Sequence, residues 1–404
     1  MSSRGGRSRP LAGGGSAPTE MHVDARFLPL ADRFFAMYRR PHNGGGALTA
    51  YVNGELVLDV WAGWADRDRR WRRDTVALSF STGKGVASTV LHRLADRGVV
   101  DYDEPVATYW PEFASAGKER ITIRDVLTHR GGLHRIRGLV PGKTGLLDYD
   151  AVVAALAAAR PDPRRLSGPG YHAVTFGWIV AETVARVTGR SFTEVVRAEI
   201  AQPLGVEEFW YRVPAEQRYR IAKLFPHLSP GPVPWGAASS VMSRLRPFNG
   251  LAEAGMPEGF DELVRDPIVH DAVMPGWNGV FTSRALAKMY AAIANDGVID
   301  GSRFLSSDTI DQMGEVQTYG RDYVLGARVN WRLGYHPVFV ANRSQPRAAF
   351  GHYGVGGSGA YADPETGLAL GFVTNRMGNA VTALGDLRLA RLGAKAQDIV
   401  RHGA

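Results

Sequence analysis

The chain has 404 residues, 45% hydrophobic and 22% charged, with no cysteine; this suits a folded protein with a sizeable core and excludes disulfide frameworks, thiolate metal sites and cysteine nucleophiles. The formal net charge of +8 invites a nucleic-acid reading, yet 42 of the 48 basic residues are Arg, spread along the chain beside 48 Gly. That skew is a mark of GC-rich coding rather than of a basic patch, so no nucleic-acid partner is expected.

Residues 1–20 are rich in Ser, Gly, Arg and Pro and lack an apolar segment, which predicts a disordered tail rather than a secretory signal. Met21 offers an alternative start. No stretch approaches the ~18–20 uninterrupted apolar residues of a membrane-spanning helix, so a cytoplasmic location is the default expectation. Phe27, Leu30, Ala31, Phe34 and Tyr38 recur with helical spacing. Ala47–Val52 and Glu55–Trp61 then alternate as strands around Asn53-Gly54, a pair suited to a type I′ hairpin turn. Val76–Phe80 predicts a short strand running into a helix over Val86–Asp96, which Gly98 ends.

The middle third reads as helical: Thr122–Thr128 as a capped short helix that stops at Gly131-Gly132, Ala151–Ala159, Phe176–Val187 closed by Gly189, and Val280–Ala294 before Gly297. Strand signals return at Val324–Asn330, Ala348–Tyr353, Gly359–Ala362 and Leu368–Thr374, with a last helix from Ala380 to Leu392. No repeat or second linker is visible. Residues 21–404 are therefore expected to form one α/β domain of the α+β type. Its antiparallel sheet draws on both ends of the chain, with a helical region at about 100–300.

Ser81-Thr82-Gly83-Lys84 is the strongest local signal for chemistry. A serine hydroxyl needs a neighbouring base. At the first turn of a helix, Lys84 shares the face of Ser81. The unpaired N–H groups of the helix N-terminus favour an oxyanion and disfavour the charged form of the lysine. Ser115-Ala116-Gly117-Lys118 repeats the spacing but has no apolar period after it, and reads as a solvated loop.

With Gly170-Tyr171-His172-Ala173 and Gly351-His352-Tyr353-Gly354 following in order, the sequence resembles the serine β-lactamase-like hydrolases. These are the class C β-lactamases, D-alanyl-D-alanine carboxypeptidases and family VIII carboxylesterases, which carry a Ser-x-x-Lys, a Tyr-x-Asn-like and a Lys/His/Trp-x-Gly box. The segments 121–133 and 362–367 strengthen the likeness, which runs from about 25 to 395. It implies a β-lactamase-like fold and a catalytic set of Ser81, Lys84, Tyr171 and His352. Tyr171 would shuttle the serine proton, its pKa lowered by the Lys84 cation. His352 would hydrogen-bond or polarise the Tyr171 side. The Ser81 and Val355 N–H groups would form the oxyanion hole, and Gly354 would let substrate lie against the strand. His172, Trp277 and Asn278 are the further substrate-contact candidates.

Two departures point within the family. Ala173 replaces the Asn that meets a β-lactam's side-chain amide, and His352 replaces a fixed cation for its carboxylate. Both spare simple esters. A serine carboxylesterase acting on a small-molecule ester is therefore expected, with no metal or cofactor. A β-lactamase, D-Ala-D-Ala carboxypeptidase or transacylase is the alternative within the enzymes, and a non-catalytic peptidoglycan- or partner-binding relative the alternative outside them. Other motif matches fail on context. Lys143-Thr144-Gly145 precedes Tyr171 in a loop-like stretch, Ser358 lacks the last glycine of a Gly-x-Ser-x-Gly elbow, and His129 and His134 have no acidic partner for a metal.

Overall fold

In the computed structural model, which describes residues 20–40, 43–225, 249–341, 345–377 and 387–403, the strands nominated at the two ends of the chain meet in one sheet. The first part of the chain contributes β1 (His22–Val23), α1 (Leu28–Ala36), β2 (Gly45–Val52), β3 (Glu55–Gly63), β4 (Ala77–Leu78) and α2 (Thr82–Ala95). The middle adds α3 (Phe176–Thr188), β5 (Phe209–Trp210), β6 (Val280–Phe281) and α4 (Ser283–Ala294), among shorter helices. After these come β7 (Val298–Ile299), β8 (Ser302–Arg303), β9 (His336–Pro337), β10 (Phe350–Tyr353), β11 (Gly359–Asp363), β12 (Leu368–Thr374) and α5 (Leu387–His402).

The main sheet runs β1-β3-β2-β12-β11-β10-β9 and is antiparallel throughout. Its seam is the β2–β12 pair, from Val52↔Leu368 to Gly46↔Thr374. Asn53 and Gly54 take φ values of 49° and 78°, as the predicted type I′ turn requires. Helices α1 and α5 cover one face, where Leu30, Phe34, Leu389 and Leu392 pack with Leu48, Leu58, Leu370 and Phe372. On the other face α4 lies against β12, β2 and β11. It comes close because residue 371 is glycine: a Cβ there would stand 2.4 Å from Ser283 O.

Beyond α4 a larger core joins α2 to α3 through Val86, Val90, Ile179, Val180 and Val184, and burial of these apolar faces fixes both helices. A small ribbon, β4-β6-β5, delivers the chain into α2.

Several expectations are corrected. Residues 324–330 form turns rather than a strand, because the Asp322 carboxylate accepts the Val324 and Leu325 N–H groups and Gly326 and Asn330 adopt positive φ. Helix α2 begins at Thr82 rather than Val86, and the strand before it shrinks to Ala77–Leu78. The Ser115–Lys118 segment is not a solvated loop: Lys118 is fully buried, with Nζ donating to the carbonyls of Ser115, Ala157 and Ala159. The expected N-terminal tail, and positions 380–386 of the last predicted helix, lie outside the described residues.

Candidate active site

The approach to α2 is bent by sequence-local geometry. Ser81 is the N-cap residue of α2, and the buried Phe80 before it sits at φ +49°. A left-handed aromatic residue costs about 1–3 kcal/mol and persists only where its surroundings impose it. Here the loop after β10 does so. A Cβ on Gly356 would fall 2.6 Å from the Phe80 ring, and one on Gly354 would fall 2.3 Å from Ser79 O. Thr82 Oγ1 also donates to Ser358 O at 3.0 Å. The glycines let this loop close over the start of α2. Neither the Ser81 nor the Val355 N–H has an acceptor among the described residues.

Lys84 lies three residues into the same turn, fully buried. Its Nζ is 2.8 Å from Ser81 Oγ, 2.5 Å from Ala173 O and 2.6 Å from Gly276 O. Burial holds its amine well below the usual lysine range. A neutral amine has two N–H bonds and one lone pair. The two carbonyls, which can only accept, take the N–H bonds, and the lone pair is left facing Ser81 Oγ.

Tyr171 donates from Oη to Ser81 Oγ at 3.2 Å, so the serine hydroxyl stands between phenol and amine. The expected lowering of the Tyr171 pKa is reversed. Burial pushes the phenol above its ordinary value, outweighing the Ser81 hydrogen bond, and Asp322 pushes the same way. The Lys84 cation on which the expectation rested is itself suppressed by burial.

His352 also differs from expectation. It makes no hydrogen bond to Tyr171; the two rings stack with centroids 6.5 Å apart. His352 Nδ1 lies 3.1 Å from Tyr353 O, so Nδ1 carries the proton, and the buried Nε2 is left without a partner. Burial holds the ring neutral, with His336 and Lys84 adding to the effect.

Three other nominated residues are turned away from the serine. His172 is buried, and its Nε2 accepts the Leu133 N–H at 2.8 Å, so it braces the loop behind Tyr171. Asn278 is a loop organiser: its amide donates to the carbonyls of Tyr211, Val269 and Ala272 and accepts from Met274 N. Trp277 is 3% exposed and packs edge-on against Phe260. The substrate-contact roles expected of them have no support in this geometry.

Sequence reasoning missed the residues that frame Tyr171. Trp331 stacks on it at 5.2 Å and 12°, and His129 meets it edge-on at 4.9 Å. Gly276 was missed as well. Its carbonyl holds Lys84, and it interlocks with Gly177 of α3, where a Cβ would fall 1.9 Å from Gly276 N. Only the glycine pair could have signalled this, as a close backbone approach.

The beta-lactamase family profile matches residues 30–395. A Mycobacterium tuberculosis protein named esterase/beta-lactamase LipL is 40% identical over 366 residues, covering 88% of this chain and 82% of its own. The crystal structure of a family VIII carboxylesterase superposes with a TM-score of 0.82 at 33% identity, covering 93% of this chain and 98% of its own. A penicillin-binding protein homologue from Caulobacter crescentus gives 0.76 at 31%, with 92% and 98% coverage. The chain belongs to the beta-lactamase family. It is a serine hydrolase with the β-lactamase-like fold.

Proposed function

We propose that this enzyme hydrolyses small carboxylic esters through an acyl-enzyme on Ser81. The observation that carries the reading is the buried Lys84 amine, both N–H bonds committed to Ala173 O and Gly276 O, 2.8 Å from Ser81 Oγ. Ser81 Oγ attacks the ester carbonyl carbon while its proton passes to Lys84 Nζ. The carbonyl oxygen becomes an oxyanion held by the Ser81 and Val355 N–H groups. On collapse the C–O bond breaks, and the departing alkoxide takes the Tyr171 proton. The Lys84 ammonium then restores that proton to the phenolate. Water repeats the sequence on the acyl-enzyme and releases the acid.

The raised pKa of Tyr171 suits a proton donor, and the lowered pKa of Lys84 suits a base. Roles for Gly354 and Val355 beside the substrate rest on their loop lying against Ser79 and Phe80.

Ester is favoured over β-lactam on two counts. The Ala173 methyl packs toward Gly255, 3.5 Å from where a Cβ would stand, and offers no amide. His352 is held neutral and offers no fixed cation. Labelling by an active-site phosphonate, located by mass spectrometry, tests the nucleophile: modification at Ser81 is expected, and modification elsewhere overturns the reading. Nitrocefin turnover matching p-nitrophenyl ester turnover would replace the esterase with a β-lactamase. Among the described residues no helix is long and apolar enough to cross a membrane.

A further inference from the structure

We propose that Asp322, a carboxylate remote from Ser81, is a positioning residue that sets the Tyr171 hydroxyl, acting through Trp331 on the ring and Tyr323 on the backbone. The inference rests on Tyr171 as proton donor to the leaving alcohol. Asp322 is fully buried. Its Oδ1 accepts the Val324 and Leu325 N–H groups, each at 2.9 Å, and its Oδ2 accepts the Trp331 indole N–H at 3.0 Å. The backbone closes the same turn, with Asp322 N donating to Ala327 O and Gly326 N donating to Asp322 O. A buried carboxylate whose two oxygens take three donors from one short segment fixes the shape of that segment.

Two rings leave this segment for Tyr171. Trp331 stacks on the Tyr171 ring at 12°. Tyr323 lies on Gly170, where a Cβ would fall 2.1 Å from the Tyr323 ring, and its N–H donates to Pro169 O at 2.9 Å. The residues before Tyr171 and the face of its ring are thus both set by a turn that Asp322 organises. His129 closes another side: it meets Trp331 at 4.3 Å, and its carbonyl accepts the Gly170 N–H at 2.8 Å. The phenol oxygen sits at the far end of its side chain, where a small tilt of the ring moves it by about 1 Å, a misplacement worth on the order of a hundredfold in rate.

The test uses the leaving group. An ethyl ester needs a proton on its departing alkoxide, whereas a p-nitrophenyl ester of the same acid does not. Asp322→Asn sets an amide N–H against the Trp331 N–H. It is expected to lower kcat/KM, which reports the acylation step in which the leaving groups differ, by about tenfold or more on the ethyl ester and far less on the p-nitrophenyl ester. Trp331→Ala should repeat this pattern and carries the test if the Asp322 variant does not fold. Trp331→Phe keeps a ring against Tyr171 but not the indole N–H that Asp322 holds, so it should recover only part of the loss.

Equal losses on both esters in step with a lowered Tm, or no loss in either variant, overturn the proposal. Tyr171→Phe is the control. If it shows no leaving-group selectivity, the proton-donor reading itself fails. If it does and the Asp322 and Trp331 variants do not, only this inference falls.

Discussion

The chain holds two Ser-x-x-Lys segments, and both lysines are buried with their amines on backbone carbonyls. At Ser81 the spacing lies on a helix: the N-cap residue has φ −61° and ψ −9°, and Lys84 Nζ meets the serine hydroxyl. At Ser115 the backbone leaves the helical region, with Ser115 at ψ 159° and Ala116 at φ +60°. Lys118 therefore meets the serine carbonyl instead, and the Ser115 hydroxyl donates to Ala157 O. Lys118 also reaches Ala157 O and Ala159 O, the unpaired carbonyls at the end of the Tyr149–Ala158 helix. Three residues of spacing bring a serine hydroxyl and a lysine amine together only where the helix supplies the phase. Otherwise the same residues make a helix cap.

The largest effect that separates the two is at the serines. Ser81→Ala should abolish ester turnover, by on the order of 10⁴-fold or more, while Ser115→Ala should leave kcat near wild type in the same p-nitrophenyl assay. The lysines come next. Lys84→Met should lower kcat by about 10²–10⁴-fold, the usual worth of a positioned base, in a protein that still folds. Lys118→Met should do the reverse. Ser115 O and Ala159 O lose their donor, while Ala157 O keeps the Ser115 hydroxyl; at about 1–3 kcal/mol for each group left unsatisfied, the thermal midpoint drops while kcat of the folded enzyme holds. Loss of activity in Lys118→Met without loss of Tm would break the comparison.

A third test moves the carbonyl that holds Lys84. A Cβ on Gly276 would stand 2.3 Å from Val174 O, so Gly276→Ala must shift the loop that carries Gly276 O. A fall in kcat of about ten- to hundredfold is expected, with phosphonate labelling of Ser81 slowed in proportion. Unchanged labelling would mean that Gly276 O does not orient the amine.

Much of this was legible in the sequence. Ser81 and Lys84 converge because one helical turn encodes their contact locally, and Tyr171, ninety residues on, was legible only through the order of the boxes that the sequence shares with its family. The hairpin followed from Asn53-Gly54, and the strand at Leu368–Thr374 from a short apolar run bounded by Gly367. What was not legible depends on contacts distant in sequence. The burial of Lys118 follows from a helix end some forty residues later. The turn at 324–330 has the composition of a strand, and a single carboxylate overrides it. The protonation of Tyr171 could not be inferred from its neighbour, because the same burial that raises the phenol also removes the charge from Lys84. His172 and Asn278 carry the residue types of a binding site, yet their polar atoms satisfy nearby backbone.

The smallest expected effect concerns acid, and it sharpens the contrast between the two segments. Histidines crowd the Tyr171 side of Ser81. His129, His172, His336 and His352 form one chain of ring contacts, whereas no histidine ring contact involves Ser115 or Lys118 among the described residues. Burial lowers His336 to about 4 and His172 to about 3. In the unfolded chain such side chains titrate near ~6.5. Above that pH both states are neutral and these groups do not affect stability. Between about 6.5 and 4 the unfolded state binds protons that the folded state refuses, so stability falls with pH and levels off for His336 below about 4. Urea midpoints at pH 7.5, 5.5 and 4.5 should therefore decline steadily. Lys118→Met should lower every midpoint by a similar amount without changing the slope, because its carbonyl contacts involve no group that titrates in that window. A midpoint flat from pH 7.5 to 4.5 would mean that the ring cluster takes up protons as freely as an unfolded chain, and the packing around Tyr171 would then be looser than its stacking distances indicate.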